Sequence, residues 1–162
     1  KLGFIARSAP LATSGAYACA WVEGSLPDAL DREPIFSALR ARRTYGATAR
    51  IELAVTSGDA WMWEDLEGEG PFPISVRVRG TAPIERVEMW SAGERIGSID
   101  GSREEGGRAL DLDAEWTWDG PPPDASGWLI VVAIQRGGHR AWASPFFVAR
   151  GRCPEPGRAL SG

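Results

Sequence analysis

Side chains that act as nucleophiles or metal ligands are few in this sequence and widely scattered. The chain has one histidine, His139, and two cysteines, Cys19 and Cys153, which lie near opposite ends. A metal site needs several convergent ligands, and its usual sequence signs are a CxxC pair or a cluster of histidines. Neither pattern occurs in the sequence, which argues against a self-contained metalloenzyme and against a disulfide framework. His139 follows two glycines, and we interpret it as a turn residue.

Hydroxyl groups near the start of the chain offer a candidate nucleophile. Ser8, Thr13 and Ser14 lie in a segment rich in serine, proline and glycine, between two short apolar runs. A serine or threonine becomes a good nucleophile only beside a general base, and the single histidine is distant in sequence. We therefore interpret the segment as a solvated loop and predict no catalytic residue in the chain.

Three acidic residues at alternate positions, Asp111, Asp113 and Glu115, form a candidate Ca²⁺ site. Strand alternation accounts for them without a metal, because it places all three side chains on the solvent face. The spacing of an EF-hand loop, with its glycine, is missing from this stretch. We therefore predict no metal site and no resident cofactor.

Tryptophan is unusually abundant, with eight in 162 residues. Trp61, Trp63 and Trp90 have charged or glycine-rich neighbours, which makes these three rings a candidate aromatic platform for sugars. Exposed aromatic faces suit that role because they bury a large area at low entropic cost. The alternative, which we favour, is that the rings seal the ends of a sandwich or contact another domain. Trp116 and Trp118 are predicted to lie in the core, and Trp128 belongs to a run that is apolar on both faces.

The sequence predicts one helix, from Asp31 to Arg43. Asp31 is a suitable N-cap, Pro34 fits the first turn, and arginines at the other end complement the helix dipole. Arg43, Thr44 and Tyr45 then form a candidate contact with the mouth of a substrate cavity, because arginine suits an anionic group. The alternative, which we favour, is that the arginines serve the dipole and Tyr45 packs beneath the sheets. The apolar stripe of this helix consists of Ile35, Phe36 and Leu39.

From residue 49 onward, apolar residues alternate with polar ones, and turn sequences separate the alternating runs. About seven strands across 49–148, with no helix between them, predict a mainly β fold of the immunoglobulin- or fibronectin-like sandwich type. The run from Trp128 to Ile134 is apolar on both faces, as expected of a central strand. The other predicted strands contain Ile51–Val55, Ile74–Val78, Val87–Met89, Leu110–Trp118 and Arg140–Val148.

One segment carries a resemblance to a known family. Residues Asp31–Thr48, DREPIFSALRARRTYGAT, resemble a segment of the PHP-type metal-dependent hydrolases, in their carbaryl-hydrolase-like branch. In that branch, a similar stretch follows the catalytic barrel and leads into a small C-terminal β-sandwich. Thr81–Glu88 and Trp142–Phe146 also resemble strands of that sandwich. The resemblance therefore implies a short strand–loop–strand–helix remnant of an α/β barrel, followed by the sandwich.

The resemblance does not carry catalysis over to this chain. Family members have an Asp and a His of the metal site after a strand similar to residues 4–8, and Ala9 and Leu11 stand at the matching positions. Neither side chain has a lone pair to give a metal, and the family's other ligands would lie upstream of Lys1. A divalent metal is therefore expected only in an intact parent protein. The implied domains are 1–45 for the barrel remnant, 46–150 for the sandwich and 151–162 for a tail.

We expect the chain to be the non-catalytic C-terminal region of such a hydrolase, with the sandwich buttressing the barrel and the substrate mouth. The alternative is a carbohydrate- or partner-binding sandwich module that uses exposed tryptophans. The expected partner is the rest of the barrel or a second copy of the chain, because the apolar segments within residues 1–23 need a cover. The start at Lys1, without Met, favours a processed or excised piece.

Charge and hydropathy limit the remaining classes of partner. The net charge of −4 argues against nucleic acid, whose phosphates need a surplus of Lys and Arg on one face. No apolar run reaches the roughly 18 residues of a membrane span. No feature of the sequence indicates a cellular compartment.

Overall fold

The structure is a computed structural model that describes residues 15–22, 32–101, 103–104, 107–108, 110–122 and 127–148. It is mainly β, as the sequence predicts, and the helix within these ranges is α1 (Arg32–Arg40). In chain order the strands are β1 (Tyr17–Ala20), β2 (Thr44–Ala47), β3 (Glu52–Ser57), β4 (Ala60–Trp61), β5 (Asp65–Leu66), β6 (Phe72–Arg79), β7 (Ile84–Ser91), β8 (Glu94–Asp100), β9 (Arg103–Glu104), β10 (Gly107–Arg108), β11 (Asp111–Trp118), β12 (Gly127–Gln135), β13 (Arg140–Trp142) and β14 (Phe146–Val148).

Two sheets enclose the core. The larger, eight-stranded sheet has β12 at its centre, with β7 and then β8 on one side. Its other side carries β13, β2 and β1 in that order, and β14 with β5 beyond it. The smaller sheet has the order β11-β6-β3-β4, and β9 pairs with β10 as a separate ribbon. One cluster of buried apolar residues draws on both large sheets, which is the arrangement of a β-sandwich.

Alternation of apolar and polar residues produces the smaller sheet. Along β6, every second residue from Phe72 to Val78 is buried, and the residues between them are exposed. β11 follows the same pattern over most of its length, and its residues pair with β6 without a break from Asp111 to Trp118. Because side chains of a strand point alternately to opposite faces, one face of this sheet joins the core and the other faces solvent.

The helix ends three residues earlier than the sequence predicts, at Arg40 rather than Arg43. Arg42 has a left-handed backbone with φ of 61°, and the Arg43 N–H donates to the carbonyl of Ala38 at 2.9 Å. The Arg42 N–H donates to Leu39 in the same turn, which completes a Schellman-type C-terminus. The last arginines therefore belong to the turn that leads into β2. The predicted N-cap, Asp31, lies outside the described residues.

Two of the predicted strands differ in detail from the observed ones. Leu110 begins the predicted strand Leu110–Trp118, but it precedes β11 and is 48% exposed, because pairing with β6 begins only at Asp111. The predicted strand from Arg140 to Val148 is two strands, β13 and β14, interrupted at 143–145. Those three residues stand opposite only two residues of β12, so the register shifts by one, and Pro145 has no N–H to donate there.

The N-terminal part joins the larger sheet directly. β1 pairs antiparallel with β2 from Tyr17↔Ala47 to Ala20↔Thr44, and β2 pairs in turn with β13. The predicted division between 1–45 and 46–150 stays a prediction. The first of the two short apolar runs near the start of the chain and the tail at 151–162 lie outside the described residues.

Candidate functional site

The central strand of the larger sheet, β12, is apolar on both of its faces over Trp128–Ile134. On β12, Leu129, Val131 and Ala133 belong to the core between the two sheets. The residues between them point to the opposite side, and Ile134 is only 3% exposed although it lies outside that core. Neighbouring strands continue this second apolar surface, which we call the outer apolar face. It consists of Trp90, Trp128, Ile130, Val132, Ile134 and Trp142.

Strand register holds these side chains side by side. Ile130 lies opposite Trp90 of β7, and Val132 lies between Trp142 of β13 and Glu88 of β7. Directly opposed residues in an antiparallel pair place their side chains on the same face, within contact of one another. The rings of Trp90, Trp142 and Trp128 are half-buried. The outer apolar face therefore runs along β12 with Trp90 and Trp142 beside it, and it is partly accessible. Charged residues of the two neighbouring strands, Arg86, Glu88 and Arg140, share this side of the sheet.

A buried carboxylate lies on the same side of the sheet, opposite Val132. Alternation predicts Glu88 on the solvent side, but its residue is only 6% exposed. Its Oε1 accepts hydrogen bonds from Arg86 Nε at 2.7 Å and from Arg95 Nη1 at 3.2 Å. Its Oε2 accepts one from Trp90 Nε1 at 3.0 Å. Burial alone would raise the pKa of Glu88, but these three donors outweigh it and lower the pKa below the ordinary value.

Three tryptophans meet at the free edge of the smaller sheet, and we call them the tryptophan cluster: Trp21, Trp61 and Trp63. The rings of Trp61 and Trp63 are stacked, with centroids 5.5 Å apart and planes 14° apart. Trp21 also contacts Trp61, with ring centroids 5.6 Å apart and planes tilted by 56°. Trp61 is 37% exposed, whereas Trp63 is 6% exposed.

A tight turn positions this cluster. The Trp61 N–H donates to Glu64 Oε2 at 2.7 Å, and the Glu64 N–H donates to the carbonyl of Trp61 at 2.9 Å. Trp63 has a left-handed backbone with φ of 101°, which is strained for a bulky residue and is held by the packing of its ring. On the other side, Trp21 Nε1 donates to the carbonyl of Leu53 on β3 at 3.2 Å. The Trp21 ring is thus fixed by a hydrogen bond to the backbone, and the Trp61 and Trp63 rings are fixed by the turn and by their stacking.

The predicted aromatic platform is not one surface. Trp61 and Trp63 lie together, but Trp63 is covered by its stacking partner. Trp90 lies on β7 of the larger sheet and donates to Glu88 instead. Trp21 is the ring that joins Trp61, and no local pattern in the sequence singles it out, because the contact depends on how β1 pairs with β2.

The three residues predicted at a substrate mouth also lie in different surroundings. Thr44 and Tyr45 are buried at the start of β2, where the Tyr45 hydroxyl donates to the carbonyl of Ile51 at 3.1 Å. The Ser144 hydroxyl donates to the carbonyl of Thr44. Arg43 lines a hollow of about 340 Å³ together with the tryptophan cluster. The structure therefore brings Arg43 to the rings and places its two neighbours among the buried residues.

The thiol of Cys19 lies opposite Tyr45, as their strand register requires. Burial raises the pKa of the Cys19 thiol, and a hydrogen bond with Tyr45 lowers it by less. Burial also raises the pKa of Tyr45. Both groups are therefore protonated and neutral near pH 7, which is unsuited to nucleophilic attack.

Two of the three carboxylates considered for Ca²⁺ pair with arginines. Asp113 Oδ1 lies 3.3 Å from Arg77 Nε, and Asp111 Oδ1 lies 3.2 Å from Arg79 Nε. Within the described residues, no group of three or more His, Cys, Asp or Glu side chains is arranged to hold a metal ion. His139 lies in the turn between β12 and β13, where its Nδ1 is 3.3 Å from Thr48 Oγ1.

Comparisons with family models, with curated proteins and with solved structures found no match to this chain. In the part of the chain that the structure describes, no helix has the length and apolar character needed to cross a bilayer.

Proposed function

We propose that this chain is the non-catalytic C-terminal region of a PHP-like metal-dependent hydrolase. In this proposal an immunoglobulin- or fibronectin-like sandwich supports the catalytic barrel and the mouth of its substrate site. The observation that carries the proposal is the outer apolar face, and the resemblance of Asp31–Thr48 supplies the class of partner. The covering partner is the barrel of the same longer protein.

The contrast between the two sheets supports a third layer on one side only. In a two-layer sandwich, outward-facing residues are normally polar because they meet solvent. The smaller sheet follows this rule, with Arg77 and Asp113 paired on its outer side. The larger sheet departs from it, since Ile130 and Trp128 point outward from its central strand. When another domain covers such a surface, the free energy falls by roughly 25 cal/mol for each Å² of apolar area buried.

A second apolar patch lies at the N-terminal end of the described fold. Phe36 and Leu39 on α1 and Tyr17 on β1 are exposed, although the first two belong to the apolar stripe of the helix. Helices of globular proteins normally bury this stripe. α1 contacts β1 and buries only Ala38 completely. A barrel that continues from this region would cover both patches.

In the proposed parent, this chain does not supply metal ligands at the two positions that the resemblance identifies. The positions that match the family's metal-binding Asp and His hold Ala9 and Leu11, whose side chains have no lone pair. The residues present therefore do not fit that part of the metal site. The role assigned to this chain is mechanical support alone.

The experiment uses the longer reading frame that encodes this chain, produced as wild type, as Ile130→Lys and as Ser75→Lys. A lysine at Ile130 places a charge under the proposed contact, whereas Ser75 faces solvent on the smaller sheet. We expect metal-dependent hydrolase activity in the long protein and none in this chain alone. We also expect Ile130→Lys to lower the barrel's melting temperature and Ser75→Lys to leave it unchanged. A reading frame without a metal-dependent hydrolase, or hydrolysis by this chain alone, contradicts the proposal.

A further inference from the structure

The outer side of the smaller sheet carries a groove beside the tryptophan cluster. Two adjoining hollows, of about 400 and about 550 Å³, share Ala54, Arg77 and Asp113 as lining residues. Trp21 lines the first hollow and Trp61 lines the second. We call the joined hollows the edge groove. It has an aromatic wall along β3 and β4 and a polar floor that crosses to β11.

Strand register explains the shape of the edge groove. Ala54 on β3 lies opposite Arg77 on β6, which lies opposite Asp113 on β11. The small side chain of Ala54 leaves a depression between the two tryptophans and the ion pair. The next row of the sheet begins at Trp61, which lies opposite Thr56. That row continues through Ser75 to Glu115, so the floor also carries hydroxyl groups.

We propose that the edge groove binds a neutral oligosaccharide chain. The C–H face of a pyranose is apolar and packs on an indole, and Trp61 offers an accessible ring beside the depression. Vicinal hydroxyls of a sugar need both donors and acceptors within reach. Arg77 supplies donors in a planar fork, and Asp113 beside it supplies acceptors. A second pair of polar groups, Arg79 and Asp111, lines the same groove on the side of Trp21.

The charges of the floor favour a neutral chain over an acidic one. Its two arginines are outnumbered by four carboxylates, which gives this face a formal charge of −2. A polyuronate or a nucleic acid would meet this excess of negative charge and bind poorly, because phosphate and carboxylate ligands need a basic surface. The residues counted are Arg77, Arg79, Glu52, Asp111, Asp113 and Glu115.

The wall of the groove is held in place before any ligand arrives. Trp61 rests on Trp63, whose strained backbone is set by the turn, and Trp21 is anchored to the Leu53 carbonyl. Rigid side chains lose little conformational entropy on binding, so a larger share of the contact energy appears as affinity. The edge groove lies on the sheet opposite to the outer apolar face. A saccharide and a covering barrel would therefore occupy different surfaces.

The test is affinity electrophoresis of the whole 162-residue chain in gels that contain one soluble polysaccharide each. The neutral polymers are hydroxyethyl cellulose, xylan, galactomannan, laminarin and soluble starch, and the acidic one is polygalacturonate. We expect at least one neutral polymer to retard the wild-type chain, and we expect polygalacturonate to leave its mobility unchanged. Retardation by polygalacturonate alone, or by none of the six polymers, overturns the proposal.

Variants then locate the site. Trp61→Ala removes the accessible ring, and Ala54→Arg fills the depression without touching the core. Each should weaken binding to the retarding polymer by about tenfold or more. Trp128→Ala, on the other sheet, is the matched control and should bind like wild type. If Trp61→Ala fails to fold, Ala54→Arg decides the matter, since residue 54 is already partly exposed. Unchanged binding by Ala54→Arg, or equal loss in the control, overturns the assignment.

Discussion

The indole N–H of Trp90 donates to the carboxylate of Glu88 at 3.0 Å, two residues away on the same face of β7. Arg86 and Arg95 donate to the other carboxylate oxygen, so both oxygens of this buried group are satisfied. The contact fixes the ring of Trp90 at the margin of the outer apolar face. The Glu88 carboxylate thus orients the Trp90 ring. We expect protonation of Glu88 to lower the stability of the fold.

The first prediction concerns the pH dependence of stability. The pKa of Glu88 is lowered in the folded state, so its ionised form binds its partners and stabilises the fold above the ordinary value of 4.5. This contribution disappears as the pH falls below that value and through the lowered one. We expect Glu88→Gln to reduce the free energy of unfolding by about 1.5–3 kcal/mol at neutral pH. The difference from wild type should shrink in acid.

Urea denaturation at a series of pH values from neutral to acid measures this difference. Glu85→Gln is the matched control, because Glu85 also contacts Arg86 but its side chain is 54% exposed. An exposed ion pair contributes little to stability, so the control should follow the wild-type curve within about 1 kcal/mol. A Glu88→Gln variant whose deficit stays constant with pH would show that the ionised carboxylate is not the stabilising form.

The burial of Glu88 also shows the limit of predictions made from the alternation of apolar and polar residues. The period-two pattern correctly predicts which residues of β6 enter the core, because each inward side chain there faces an apolar partner. It correctly predicts that Glu88 points away from the core, but it is wrong in leaving the side chain in solvent, since the pattern does not include cross-strand donors. Arg95 reaches Glu88 from β8, and only the pairing of β7 with β8 brings the two together.

The edge groove could not be predicted from the sequence, for a similar reason. Trp21 and Trp61 come from segments 40 residues apart, and Ala54 between them has no chemistry of its own. Their proximity requires the β1–β2 and β3–β4 pairings at once. In contrast, the sequence directly predicts that the run from Trp128 to Ile134 is apolar on both faces, because this property depends on residue types within one strand.

A second prediction concerns a glycine at which any larger side chain would clash with the backbone. A Cβ at Gly101 would lie 2.1 Å from the carbonyl oxygen of Ile84, which is backbone and cannot move aside. The Gly101 N–H also donates to the carbonyl of Glu85 at 2.8 Å, which holds the end of β8 against β7. We expect Gly101→Ala to lower the free energy of unfolding by about 1–3 kcal/mol, a typical cost of an enforced clash.

Gly15→Ala is the matched control for this variant, since an added Cβ there meets no atom within 4 Å. Thermal unfolding followed by circular dichroism compares the two. We expect the Gly15 variant to keep the wild-type melting temperature. A Gly101 variant as stable as the control would mean that the two strands can separate locally without cost.

A third prediction ranks two tryptophans of β11. Trp118 is buried and packs against Phe72, with ring centroids 5.7 Å apart. Trp116 is half-buried and lies over Gly97, whose added Cβ would come within 3.2 Å of its Nε1. We expect Trp118→Ala to cost about 3–5 kcal/mol by leaving a cavity, and Trp116→Ala to cost less. Urea denaturation of both variants provides the comparison, and equal costs would place Trp116 in the core as deeply as Trp118.

The last prediction concerns the outer apolar face in the chain by itself. Without the proposed barrel, this face and the exposed stripe of α1 stay accessible, and pairing with a second copy is a route that buries them. We expect the mass measured by light scattering to rise with protein concentration. Ile130→Lys should keep the chain monomeric, because association would then bury an unpaired charge. Ser75→Lys adds the same charge to the smaller sheet and should associate like wild type. A wild-type chain that stays monomeric at every concentration would show that the face needs no second copy, and equal association of both variants would move the contact elsewhere.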